Sequence, residues 1–302
     1  MDEAHSGGKM RRIISLVMAG ALVVVVCGIA IADTCGDLVC DGGGDGLIVT
    51  LTVRQLGFLR NGLDVDGKPL KVAYEYRSRV ACSANDINGP SVDEVYCVRA
   101  VTACAGNPPS QGRGPLTVVY RREVDAAGRS VSGWAPVGRT CFPELAPGST
   151  VLGLGSIISA FNRTVFARPG LHLQPEGDVT LVRLPVFYEV RWPAAGFQPL
   201  EVDAFTLLGY RVKIRPTLDH YTYLFGDGNG VGPTRNPGGP WPEGLVRHPY
   251  ERPGSFVARV DVTYGGEFSV NGSAWAPIPA TATVTGTPQP LVVKTAKNVL
   301  IR

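Results

Sequence analysis

The chain has 302 residues and a mass of 32.0 kDa, room for two domains of ordinary size with a core each. Hydrophobic residues make up 44% and charged residues 18%, which excludes a disordered chain, and Gly 38 with Pro 24 without any period excludes a collagen-like one. The formal charge of +3 arises from 29 basic and 26 acidic residues scattered without a block of like charge, so no nucleic-acid partner is expected.

At the N-terminus, Lys9, Arg11 and Arg12 precede a weakly polar to apolar run, residues 13–32, about long enough to cross a bilayer as a helix. The positive flank assigns residues 1–12 to a cytoplasmic tail and everything after Asp33 to the outside. The run exceeds the apolar core of an ordinary secretory signal, which favours a signal anchor; Ala30-Ile31-Ala32 supplies a cleavage site for the alternative, a signal peptide. The expected location is thus the cell membrane, single-pass with the C-terminal part extracytoplasmic, or secretion after cleavage at Ala32. Cys27 sits deep in the run behind Val26, where a lipobox needs a small residue, and reads as a membrane residue.

Six cysteines follow: Cys35, Cys40, Cys82, Cys97, Cys104 and Cys141. An even number in an exported chain reads as three disulfides, for which 15 connectivities exist; short loops between neighbours favour Cys35–Cys40, Cys82–Cys97 and Cys104–Cys141. With no C-x-x-C and no nearby histidine, no metal site is expected. All six precede residue 142, so the C-terminal half must hold by packing alone, which marks a domain boundary.

Residues 33–46 are Gly-rich and acidic, the composition of a flexible spacer; Asp41 and Asp45 lack the spacing of a calcium loop. Residues 47–195 read as a Cys-rich β domain. Leu47, Val49, Leu51 and Val53 alternate with Ile48, Thr50 and Thr52, predicting a strand, and KVAYEYRSRVAC, DEVYCVRAVTAC and LTVVYRREV predict further strands between turn clusters. GSIISAFNR is the only helix candidate outside the membrane run, with Ile157, Ile158 and Phe161 on one face.

After the turn at Pro193-Ala194-Ala195-Gly196 the pattern becomes regular. Leu208, Tyr210, Val212 and Ile214 predict one strand and Phe256, Ala258, Val260, Val262 and Tyr264 another, with Asn271-Gly272 as a hairpin turn. SVSGWAPV from Ser130 echoes SVNGSAWAPI from Ser269, which predicts two similar hairpins rather than a repeat. Strands and turns without helix describe a β-sandwich over residues 196–293, followed by a tail, 294–302.

Within that segment, Tyr221-Thr222-Tyr223-Leu224-Phe225-Gly226-Asp227-Gly228 is followed by His248-Pro249-Tyr250 and by Pro253-Gly254 leading into VARVDVT. The order and spacing resemble the PKD domain: an aromatic strand ending in F-G-D-G, then H-x-Y, then a P-G turn and a strand ending in V-T. Tyr223 stands where the family has tryptophan, and an insertion, Asn229 to Arg247, separates F-G-D-G from H-x-Y. The resemblance covers about the last third of the chain. With the export signal and the Cys-rich region, the whole resembles envelope proteins of the actinobacterial type. It implies a PKD-like, immunoglobulin-like sandwich serving as an extracellular binding or spacer module, and carries over no catalytic residue. Asp227 reads as the cap of the Gly226–Gly228 turn.

Catalytic and nucleotide motifs fail on chemistry. Gly62-Leu63-Asp64-Val65-Asp66-Gly67-Lys68-Pro69 approaches a phosphate loop, but Pro69 has no hydroxyl for magnesium and a strand follows instead of a helix. No G-x-S-x-G occurs; His5, His172, His220 and His248 show no metal spacing, and Asp219 beside His220 is sequence adjacency. The sequence therefore predicts a mainly β, non-catalytic surface protein without cofactor, binding a cell-envelope glycan or an envelope protein. The alternatives are a structural scaffold or a hydrolase with its active site in residues 47 to 195. Trp241, between Pro240 and Pro242 in the insertion and near Arg235 and Arg247, is the candidate recognition residue.

Overall fold

The computed structural model describes residues 49–296; the apolar run, the spacer with Cys35 and Cys40, and the end of the tail lie outside the described residues. Period-two alternation makes strand the dominant regular structure of this span, and the fold is mainly β. Among the described residues no helix is long and apolar enough to cross a membrane.

Three sheets form. The first is the antiparallel meander β1 (Ala73–Val80), β2 (Thr117–Val124) and β3 (Ala135–Thr140). The second pairs β4 (Gly170–Gln174), β6 (Pro185–Arg191) and β10 (Arg247–Pro249), with β6 in the middle. The third is built on two long strands, β8 (Tyr210–Leu224) and β11 (Gly254–Val270). Around them lie β5 (Val179–Leu181), β7 (Asp203–Leu207), β9 (Gly230–Thr234), β12 (Ala276–Val284) and β13 (Gln289–Lys294). The order is β5-β13-β11-β8-β7, with β12 added to β11 and β9 to β8.

The alternating faces explain the core. Tyr210, Val212 and Ile214 of β8 and Ala258, Val260, Val262 and Tyr264 of β11 are buried, as their spacing predicts. They meet Leu171 and Leu173 of β4 and Val186, Tyr188 and Val190 of β6 in one cluster that also takes in Val80, Cys82, Tyr96 and Val101. The compositional change at position 196 therefore falls inside a continuous core: β4, β5 and β6 precede it, and their partners β10 and β13 follow it.

Two turns are set by residues able to take a left-handed backbone. Asn271 (φ 52) and Gly272 (φ 81) join β11 to β12, as the Asn-Gly pair predicts. Leu208, expected in a strand, instead forms the tip of the β7–β8 hairpin with Gly209: its φ is 50 and it is 76% exposed.

Two further expected strands give way to helices. Thr50 makes an isolated bridge to Arg139, but the chain then enters α1 (Val53–Arg60). Thr52 and Gln55 close a reciprocal capping box, and Leu56 and Leu59, three apart, are buried against Val119 and Ala146. DEVYCVRAVTAC contains α2 (Val98–Ala105), whose Ala100, Val101 and Cys104 form one buried stripe. The expected α3 (Leu154–Arg163) is present, with Ile157 and Phe161 buried; among the described residues it is one of three α-helices, not the only one.

Cys82–Cys97 and Cys104–Cys141 are bridged, as expected, with Cα atoms 5.8 and 5.7 Å apart. Cys97 directly precedes α2 and Cys104 lies in its last turn, so this short helix is tied to the strands at both ends.

Candidate binding site

The residues of the PKD-like motif converge at the end of β8. Tyr223 and Phe225, two apart, are buried. Gly226 takes φ 86, and a Cβ there would meet the Val257 carbonyl oxygen at 2.5 Å, so only glycine fits. Asp227 accepts from the Asn229 backbone N–H at 2.9 Å and its side-chain amide at 3.0 Å, and pairs with His248 Nε2 at 2.7 Å. Burial alone pushes the Asp227 carboxyl up, but the Asn229 amides and His248 outweigh it and hold the group below its ordinary value. The His248 ring stacks on Phe225 at 4.4 Å, and Tyr250 donates to the Phe225 carbonyl while meeting the Tyr188 hydroxyl at 2.8 Å. Burial keeps the Tyr188 hydroxyl protonated, far above the ordinary tyrosine range. This network joins Asp227, at the start of the insertion, to His248, at its end. Both side chains are only 14% exposed, so the pair works as a clamp rather than as an open acid–base couple.

The insertion is held along its length. After Gly228 (φ 96) and β9, Tyr223 donates to the Asn236 carbonyl at 2.9 Å. Pro237 and Gly239 bond to β6 through Val190 N–H and the Tyr188 carbonyl, and Gly238 bridges Glu189. At Gly238 the φ is 77 and a Cβ would meet the Tyr188 oxygen at 1.8 Å. The segment thus behaves as an extra short strand on β6. Its tip, residues 240–244, is closed by the Gly244 N–H to the Pro240 carbonyl and pinned by the Trp241 N–H to Gln174 Oε1 at 2.7 Å.

Trp241 stays 68% exposed at this tip. It lines a groove of about 420 Å³ with Gln174, Glu176, Leu184, Phe187 and Arg247, within the usual size range of small-ligand sites. The register explains the composition. Gln174 of β4, Phe187 of β6 and Arg247 of β10 stand directly opposite one another, so they form one row on the outer face while Leu173, Tyr188 and His248 alternate with them.

Of the three candidate recognition residues, Trp241 and Arg247 share this groove. Arg235 does not: its Nε bonds the Asp219 carbonyl at 3.1 Å, and it borders a separate open trough with Thr217, Glu267 and Pro277. His220 meets Asp219 at 3.0 Å on that side, away from His248. Gln174, Glu176, Leu184 and Phe187 carry no motif, and only the strand register brings them to Trp241. Among the described residues no group of three or more His, Cys, Asp or Glu is placed to hold a metal ion. No family model matches the chain, and no curated protein matches it.

Proposed function

We propose that this chain is a non-catalytic surface protein, held at the membrane by residues 13–32 with its folded part outside the cytoplasm, which binds a cell-envelope glycan at Trp241. The observation that carries the proposal is the exposed indole on a loop pinned by backbone bonds and by Gln174, beside a groove with both apolar and charged walls. A flat aromatic ring stacks on the apolar face of a sugar, and a loop already fixed in place loses little entropy on contact. The two disulfides are in keeping with an oxidising compartment. In this reading the second sheet and the β5-β13-β11-β8 part of the third make the PKD-like, immunoglobulin-like sandwich, with β4, β5 and β6 drawn from before position 196.

A second reading, a scaffold component that contacts an envelope protein, is favoured by one observation. Val179, Val292 and Val257 are exposed together on the outer face of β5, β13 and β11.

The test is Trp241→Ala in the full-length protein. Because the indole is exposed, folding stability should change by less than about 0.5 kcal/mol. Binding to purified envelope polysaccharide should fall. No polysaccharide binding by the folded parent, with capture of an envelope protein that Trp241→Ala leaves intact and Val257→Asp abolishes, decides for the scaffold reading.

A further inference from the structure

We infer that the groove is built for a glycan in which acidic and neutral sugars alternate; this rests on the glycan reading above and narrows it. The argument is the charge distribution across the row Gln174–Phe187–Arg247. Two strand spacings separate β4 from β10, roughly 10 Å, and the groove's two sides differ in sign. Arg247 stands on the β10 side. Gln174 and Glu176 stand on the β4 side. Among the described residues neither Arg247 nor Glu176 is taken up by an ion pair, so both charges are presented to the groove.

A guanidinium in this position suits a carboxylate, which it can grip with two parallel hydrogen bonds. Glu176 accepts hydrogen bonds from sugar hydroxyls and repels a second acid on the β4 side. Phe187, buried between them, floors the groove, and the exposed indole of Trp241 offers the face on which a pyranose ring can stack. A wholly neutral chain leaves Arg247 without a partner, and a chain with an acid on every sugar brings one of them against Glu176. A repeat with one carboxylate per two sugars satisfies both sides.

The experiment is calorimetric titration of the full-length protein with three hexasaccharides of matched length. One alternates glucuronate with N-acetylglucosamine, one is oligogalacturonate, and one is neutral chitohexaose. The alternating oligosaccharide should bind tightest. Arg247→Ala should weaken that binding at least about tenfold, the scale of a charge-assisted hydrogen bond, and weaken chitohexaose binding by a clearly smaller factor. Arg247→Lys should recover only part of the loss, and Glu176→Gln should improve oligogalacturonate selectively. Equal binding of the neutral and alternating chains, with no effect of Arg247→Ala, overturns the inference and leaves the glycan reading standing. Failure of all three oligosaccharides to bind the folded protein overturns both.

Discussion

Glu94 and Asp227 are both enclosed carboxylates, and their surroundings push them in opposite directions. Glu94 is 2% exposed. Burial drives it from 4.5 to about 7, only partly offset by the Val80 N–H, Arg79 and the Tyr210 hydroxyl. A carboxyl raised in the folded state binds its proton more tightly there than in the unfolded chain. Its contribution to stability is therefore full below about pH 4.5 and is lost as pH climbs to about 7, by on the order of 3 kcal/mol. Glu94→Gln should flatten this part of the stability curve and raise the melting temperature at pH 8, as denaturant titrations across pH 4–8 would show; an unchanged slope would place the titration elsewhere. Asp227 has the reverse sign. Held below its ordinary value, it adds stability at neutral pH that disappears as pH falls through its folded-state value. Asp227→Ala should cost about 1–3 kcal/mol at pH 7, because Asn229 and His248 lose their partner. A variant as stable as the parent would show that the insertion's ends are held by other contacts. Neither effect is visible in the sequence, where Glu94 is one acid among 26 and only its burial distinguishes it.

At the scale of elements, the sequence is informative where one periodicity dominates. The alternation in β8 and β11 predicts their buried faces, and Ile157 with Phe161 predicts α3. It misleads where two periods overlap. In DEVYCVRAVTAC the apolar residues fit alternation as well as a helical stripe, and the bridges at Cys97 and Cys104 favour the helix that packs Val101 inward. In LTVRQLGFLR the alternation before Thr52 conceals a capping box at the same residue. Thr52→Ala should cost about 1 kcal/mol of stability; a loss of under a few tenths would mean that α1 is fixed by Leu56 and Leu59 alone. The echo corresponds to a recurring side-chain contact and not to two matching hairpins. Trp134 and Trp275 each precede a strand and lie beneath an arginine, Arg122 and Arg215, at 4.5 and 4.2 Å. Those arginines are paired with Glu75 and Glu267 on the neighbouring strand. The same three side-chain types recur, but the hairpins differ: the turn of the first, residues 125–129, precedes its SVSG, the turn of the second falls within SVNG, and Arg122 lies on a hairpin strand whereas Arg215 lies on β8, outside the β11–β12 hairpin.

For the molecule as a whole, the distribution of cysteines suggests a C-terminal unit that folds by itself, whereas the strands are interleaved across position 196. A fragment starting at Pro199 lacks β4, β5 and β6, leaving β10 and β13 without their outer neighbours and Tyr188 absent from the Phe225 contact. It should show no sharp thermal transition by circular dichroism, and extending it back to Val151, which restores α3 and these strands, should bring one back. Cooperative unfolding of the shorter fragment would show that β8 and β11 with their hairpin partners suffice. Composition cannot reveal this, because the change in cysteine content follows the chain while the core follows the pairing of strands far apart in sequence. The site is legible to the same extent: Trp241 and Arg247 stand out as a Pro-flanked aromatic near a base, and the wall opposite them is set by register.

The closure of residues 240–244 by a single backbone bond separates the frame of the insertion from what it displays. The glycines at 238, 239 and 244 and the bonds to β6 fix the path of the chain, while the side chains at 241, 243 and 245 project from it, all exposed. That arrangement makes the tip an exchangeable cassette. Related molecules could diverge at these three positions to address different surfaces without renegotiating the sheet, and a library randomised there is a ready route to binders of new targets on a scaffold that keeps its shape.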